Sequence, residues 1–156
     1  GVNMKGINIA ECAHVVNILP PHDANTVATP EVFSMEGASH ASIIVQLGVT
    51  GAAVTITVEA CTDFTPTTTS AIAFSYYAET TASGDTLGTR TAATSSGFSS
   101  GTNDNIFFVI EIDAAELPEG YPCLQLKVSD PAATTYASAV AILSGNRHGQ
   151  FATAIV

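Results

Sequence analysis

The sequence predicts an all-β protein, an antiparallel β-sandwich or jelly-roll-like fold of about eight or nine short strands with no substantial helix. Three observations predict it. Apolar and polar residues alternate with period two in one segment after another. Gly, Pro, Asn, Asp and Ser cluster between those segments, at spacings that suit antiparallel neighbours. Pro, Gly and β-branched residues are also spread too evenly to leave room for a crossover helix, which excludes parallel βαβ units.

Residues 1–12 mix Gly, Asn and Lys with isolated Ile and Val and read as an N-terminal arm. The sandwich is expected over 13–144, and 145–156 form a C-terminal strand or assembly tail. "AHVVNIL" (13–19) and "EVFSM" (31–35) are weaker strand candidates, separated by the turn cluster "PPHDAN". In "HASIIVQLG" (40–48), Ala41, Ile43, Val45 and Leu47 share one face, while His40, Ser42 and Gln46 lie opposite with Ile44. In "GAAVTITVEAC" (51–61), Val54, Ile56 and Val58 oppose Thr55, Thr57 and Glu59.

"AIAFSYYAET" (71–80) aligns Ile72, Phe74 and Tyr76 against Ala73, Ser75 and Tyr77. "NIFFVIEID" (105–113) aligns Ile106, Phe108, Ile110 and Ile112 against Phe107, Val109, Glu111 and Asp113. Both patterns predict strands partly buried on two sides. "TLGTRTA" (86–92) is a weaker candidate, and "DAAELPEG" has a helical flavour that Pro118 and Gly120 limit to about one turn. "YPCLQLKVS" sets Leu124, Leu126 and Val128 against Cys123, Gln125 and Lys127, and "TTYASAVAILS" sets Tyr136, Val140 and Ile142 against a column of alanines. The tail "FATAIV" is too apolar to sit in free solvent, so it either closes its own sheet or docks on another subunit. Phe151, Ile155 and Val156 are accordingly the candidate assembly residues.

With 156 residues, 46% of them hydrophobic, the chain fits one domain that can bury a sizeable core without metal or disulfide staples. Fourteen acidic against four scattered basic residues give a net charge of -10. Nucleic acid and anionic membrane are therefore not expected partners, since both are bound through clustered cations. The acidic excess keeps an apolar protein soluble or faces a basic partner. Cys12, Cys61 and Cys123 show no CxxC pair and read as small buried hydrophobes. The start "GVNMKGINIAEC" lacks a signal-peptide pattern and no stretch approaches the roughly 20 apolar residues of a membrane span, so synthesis in the cytoplasm is expected.

Catalytic candidates are few: His14, His22, His40, His148, the cysteines and dispersed carboxylates. "CAH" (12–14) places Cys12 and His14 on one side of a strand without a supporting signature. "GASHAS" holds Ser and His but no strand, sharp turn and helix around a nucleophile. "TNDN" (102–105) and "SGDT" (83–86) offer loop oxygens without the ligand ladder of a calcium site. "GFSSG" lacks the Lys and the following helix of a phosphate loop. Without Trp, a sugar platform would fall to Tyr76, Tyr77, Tyr121 or Tyr136, whose default role on strands is packing. No enzyme activity, cofactor or metal is expected. What remains is a rigid domain made for contact.

Several stretches in running order, "VNILPP", "EVFSMEGASHASIIVQLGVTGAAVTITVEACTDFTP", "AIAFSYYAETTASGDTLG", "NDNIFFVIEIDAAELPEGYPCLQLKVSDP" and "AILSGNR", resemble a family of small virion-associated proteins of tailed bacteriophages. The resemblance runs from about Val16 to Gly145 and rests on running similarity rather than on a motif. It implies a virion structural protein made in the host cytoplasm. The expected role is a decoration (cement) protein on the outer surface of the head, a homo-oligomer such as a trimer that contacts the major capsid protein. A tail, neck or self-polymerising subunit, or a virion-attached carbohydrate-binding module, are the alternatives.

Overall fold

The computed structural model describes residues 6–26, 29–146 and 154–155. The chain runs as a one-turn helix α1 (Ile9–Cys12), then β1 (His14–Asp23), β2 (Val32–Ser34), β3 (His40–Thr50), β4 (Thr55–Cys61), β5 (Thr69–Ala71) and β6 (Phe74–Glu79). It continues through β7 (Thr91–Ala93), β8 (Phe98–Ser99), β9 (Ile106–Asp113), a 3-10 turn at Ala114–Glu116, β10 (Cys123–Val128) and β11 (Thr135–Ser144). One sheet has six strands in the order β1-β11-β3-β9-β6-β7; the other has five, four in the order β2-β10-β4-β5 and β8 pairing with β4 off that path. Every pairing between named strands is antiparallel. The antiparallel sandwich is thus as the alternation predicts.

The core lies between the sheets and is built from the faces that period two sorts inward. Ala41, Ile43, Val45 and Leu47 of β3 are buried, as are Ile56 and Val58 of β4, Ile106, Phe108, Ile110 and Ile112 of β9, and Leu124 and Leu126 of β10. Each large aliphatic side chain hidden this way contributes about 1.5–3 kcal/mol relative to exposure. Aromatic rings join the layers: Phe98 of β8 stacks on Tyr76 of β6 at 3.8 Å between centroids and 7°, and meets Phe108 of β9 edge-on at 5.0 Å. Offset and edge-on ring pairs of this kind add about 0.5–1.5 kcal/mol beyond area burial.

The described residues form eleven strands where about eight or nine were expected. The extra ones are short pieces in segments dense with turn residues, β5 in "TDFTPTTTS" and β8 in "TSSGFSSGTNDN". The strand expected over 71–80 is shorter: Ala71 ends β5, which pairs with β4, and after Ile72 donates its N–H to the Val58 carbonyl the chain crosses to the other sheet as β6. Ile72 and Phe74 stay buried and Tyr76 packs on the core throughout, so one apolar face served two sheets.

Strand β1 extends past the expected 13–19 through Pro20 and Pro21, which a turn cluster was expected to hold. Among the described residues β1 is an edge strand that pairs only with β11, where residues lacking an N–H are tolerated, and its register is irregular between Asn17 and His22. The helical turn at Ala114–Glu116 is as expected, with Glu116 accepting from the Asp113 N–H at 3.0 Å. The α1 turn inside the arm has no sequence signal and buries no residue.

The loop residues that offered oxygens are structural staples. Asp104 accepts the Thr50 N–H at 2.7 Å, Asn103 donates to the Thr80 carbonyl at 3.0 Å, and Asn105 takes φ 56. Beside "SGDT", the buried Glu79 carboxylate accepts the N–H groups of Thr81 and Thr86 at 2.8 and 2.9 Å. Gly97, at φ 77, lies so close to the Ile56 carbonyl that no side chain fits there.

Candidate functional site

In the six-stranded sheet, register and alternation together fix what faces away from the core. One outward row runs Val15, Ile142, Ser42, Glu111 and Ser75 across five strands. The next runs Asn17, Val140, Ile44, Val109 and Tyr77, and a third Ser138, Gln46 and Phe107. Val15, Val49 and Tyr136 are exposed, and Ile142, Val140, Ile44, Val109, Phe107 and Tyr77 are half-buried by one another. None belongs to the core cluster or to the shell packed against it. The middle row carries no ionisable side chain other than a tyrosine.

Strand β11 makes this face apolar. Its alanine column, Ala137, Ala139 and Ala141, points inward with Thr135 and Leu143, while the larger Tyr136, Val140 and Ile142 point outward. Burial favours larger apolar side chains in proportion to their area, so size alone selects the opposite orientation. Small residues on one inner face leave volume for larger ones from the facing sheet; Phe33 of β2 and Leu124 of β10 are among the largest fully buried side chains.

At one end of the outward face sits a polar cluster. His40 Nδ1 lies 2.7 Å from Asp113 Oδ1 and His40 Nε2 lies 2.5 Å from Glu111 Oε2, which also accepts the Ser42 hydroxyl at 2.6 Å. Both ring nitrogens face carboxylates, an arrangement that favours the doubly protonated ring, in which both donate. Burial lowers the His40 pKa, but the hydrogen bonds and charges of Glu111 and Asp113 outweigh it and hold it above the usual value. The Ser42 hydroxyl donates to Glu111, and the cluster fastens β3 to β9. At this exposure such a pair contributes about 1 kcal/mol or less.

The other sequence candidates are dispersed. Cys12 is exposed at the end of α1 while His14 opens β1, so they do not share a strand. His22 Nδ1 is 3.2 Å from the Pro20 carbonyl, and His148 lies outside the described residues. Cys61 and Cys123 are buried, as small hydrophobes are expected to be, and face each other across β4 and β10 as free thiols. Burial, with nearby Glu59, pushes the Cys61 thiol up to about 11. Among the described residues, no group of three or more His, Cys, Asp or Glu could hold a metal ion.

Of the tail candidates, Ile155 packs against this chain's own core cluster, and the Ala154 carbonyl accepts the Ser34 N–H at 2.8 Å beside β2. Both contacts are to this chain's own fold, and neither residue lies in a strand. Phe151 and Val156 lie outside the described residues. Tyr76 is committed to the aromatic stack, whereas Tyr121 lines an open cleft of about 490 Å³ with Glu36, Thr62, Leu117 and Pro118. Neither the outward apolar face nor the His40 cluster is visible in any single segment, because both need the pairing of β11, β3 and β9. The signal that bore on the first was the "TTYASAVAILS" alternation, whose inward side the segment alone leaves open. In comparison with protein-family models, curated proteins and solved structures, the chain matches none.

Proposed function

We propose that this chain is a bacteriophage virion structural protein, a capsid decoration (cement) protein that reinforces the head from its outer surface through contacts with itself and with the major capsid protein. The observation that carries the structural part is the outward face of the six-stranded sheet, an apolar surface supported by a rigid scaffold and suited to contact rather than chemistry. The phage assignment rests on the sequence stretches quoted above. A clamp of this kind stabilises an assembled shell by mass action, because it binds joined subunits better than separated ones. The net charge of -10 suits an outer surface away from packaged DNA.

Imaging of intact particles tests the assignment, with density for this domain expected on the head. Density confined to the tail or neck overturns the decoration reading in favour of a tail component. The cleft beside Tyr121 and Glu36 favours a second reading, a virion-attached carbohydrate-binding module, since an aromatic face beside a carboxylate suits a sugar. Glycan-array binding that is lost on Tyr121→Ala supports that reading.

A further inference from the structure

We propose that the outward face of the six-stranded sheet seats a second copy of this chain, whose N-terminal arm lays Ile7 and Ile9 against the band formed by Ile142, Val140, Ile44 and Val109. The inference deepens the assembly reading and shares its premise that the chain works as an oligomer. Two unmet apolar surfaces belong to the same chain. On the arm, α1 buries none of its residues, Ile7 is 85% exposed and Ile9 46% exposed. On the sheet, β11 turns Val140 and Ile142 outward and keeps alanines for the core.

The arm leads directly into the edge of this face, since α1 ends at Cys12 and Val15, 51% exposed, is the first outward residue of β1. Charge permits self-association despite the net charge of -10, because the middle row lacks carboxylates and the acidic pair at its end is bridged by His40. Size also argues for the arm. Five strands at about 4.8 Å spacing, and outward residues over about 20 Å of β11, give a patch of roughly 400 Å² per partner. A stable interface needs about 800 Å² per partner, so the sheet face alone is too small and an added arm supplies the remainder. Closed symmetry gives every arm a seat, which accounts for one arm and one face per chain.

The experiment is sedimentation of the purified full chain over a concentration series, repeated for Val140→Lys and for the double variant Ile7→Ser/Ile9→Ser. The wild type is expected at a multiple of 16.0 kDa, and each variant is expected to dissociate at concentrations at least about tenfold higher. Circular dichroism guards against a folding defect, and a second measurement avoids it: in Ile44→Cys, oxidation is expected to link the exposed Cys12 of one chain to position 44 of another as a dimer on a non-reducing gel, beyond any dimer formed by the wild type. A monomeric wild type, an oligomer indifferent to both variants, or no additional cross-link overturns the inference. A monomer that still binds phage heads overturns it while leaving the decoration reading intact; an oligomer with no affinity for particles does the reverse.

Discussion

The two sheets of the sandwich treat their outward faces differently. On the sheet containing β4 and β10, the outward positions at one end, Val32, Ser34, Cys61, Cys123 and Gln125, are buried, with Gln125 donating to the Pro30 carbonyl at 2.7 Å, while Thr55, Thr57, Glu59 and Lys127 on the rest of that face are polar and stay partly or fully exposed. On the six-stranded sheet, the outward positions of β11, β3 and β9 stay half open and are more apolar. The first face is closed over at one end and polar where it is open; among the described residues, the second is half open and apolar along β11, β3 and β9. Among the described residues, the buried end leaves Gln125 Oε1 without a hydrogen-bond partner, a cost of about 1–3 kcal/mol that burial around it must offset. The half-open, apolar face of the six-stranded sheet is the one on which the proposed assembly rests.

The largest expected effect sharpens this contrast between neighbours on β9. Phe108→Asp buries an unpaired carboxylate costing several kcal/mol, out of a total stability of about 5–15, so no cooperative thermal transition is expected. Ile56→Asp should behave in the same way. Phe107→Asp, one residue away on the open face, should retain a native circular dichroism spectrum and lose about 1 kcal/mol or less. Equal losses at 107 and 108 would break the distinction between faces. Gln125→Glu tests the buried end: a charge forced into a fully buried site should cost about 3 kcal/mol in urea denaturation, far more than Gln46→Glu on the open face.

Smaller effects come from pH. The folded pKa of His40 is raised, so its contribution is fully present below the unfolded value near 6.5 and is lost as pH rises through the folded value. His40→Ala should therefore cost about 1 kcal/mol or less at acidic pH and less above neutrality; a penalty that grows with pH would refute the imidazolium. Asp23 has the opposite sign. N–H groups of Asn25 and Thr135, bonded to its carboxylate at 3.0 Å each, lower its pKa, so its stabilisation exists above the unfolded value and disappears as pH falls through the folded one. Comparing Asp23→Asn with wild type by thermal unfolding should show a gap that closes in acid. Least of all, Thr57→Ala, at a half-exposed outward position on β4, should change stability by less than about 0.5 kcal/mol.

Much of the fold was legible because the signal is local. In β3 and β9 the residues that alternate are the residues that are buried. The short strands β5 and β8 were not legible, because two or three residues carry too little pattern and are held by a longer partner, β4. The site was less legible still. His40 meets Asp113 across 73 positions and Glu111 across 71, a separation no segment encodes.

By itself the sequence determined which side chains share a face, since a pleated strand sends neighbours to opposite sides whatever surrounds it. Only the tertiary structure decided which face of β11 is the inner one, because that depends on the volume the opposing sheet leaves to fill. It also decided that Ile142, Val140, Ile44 and Val109 form one continuous surface, since side-by-side placement comes from strand pairing between residues far apart in the chain.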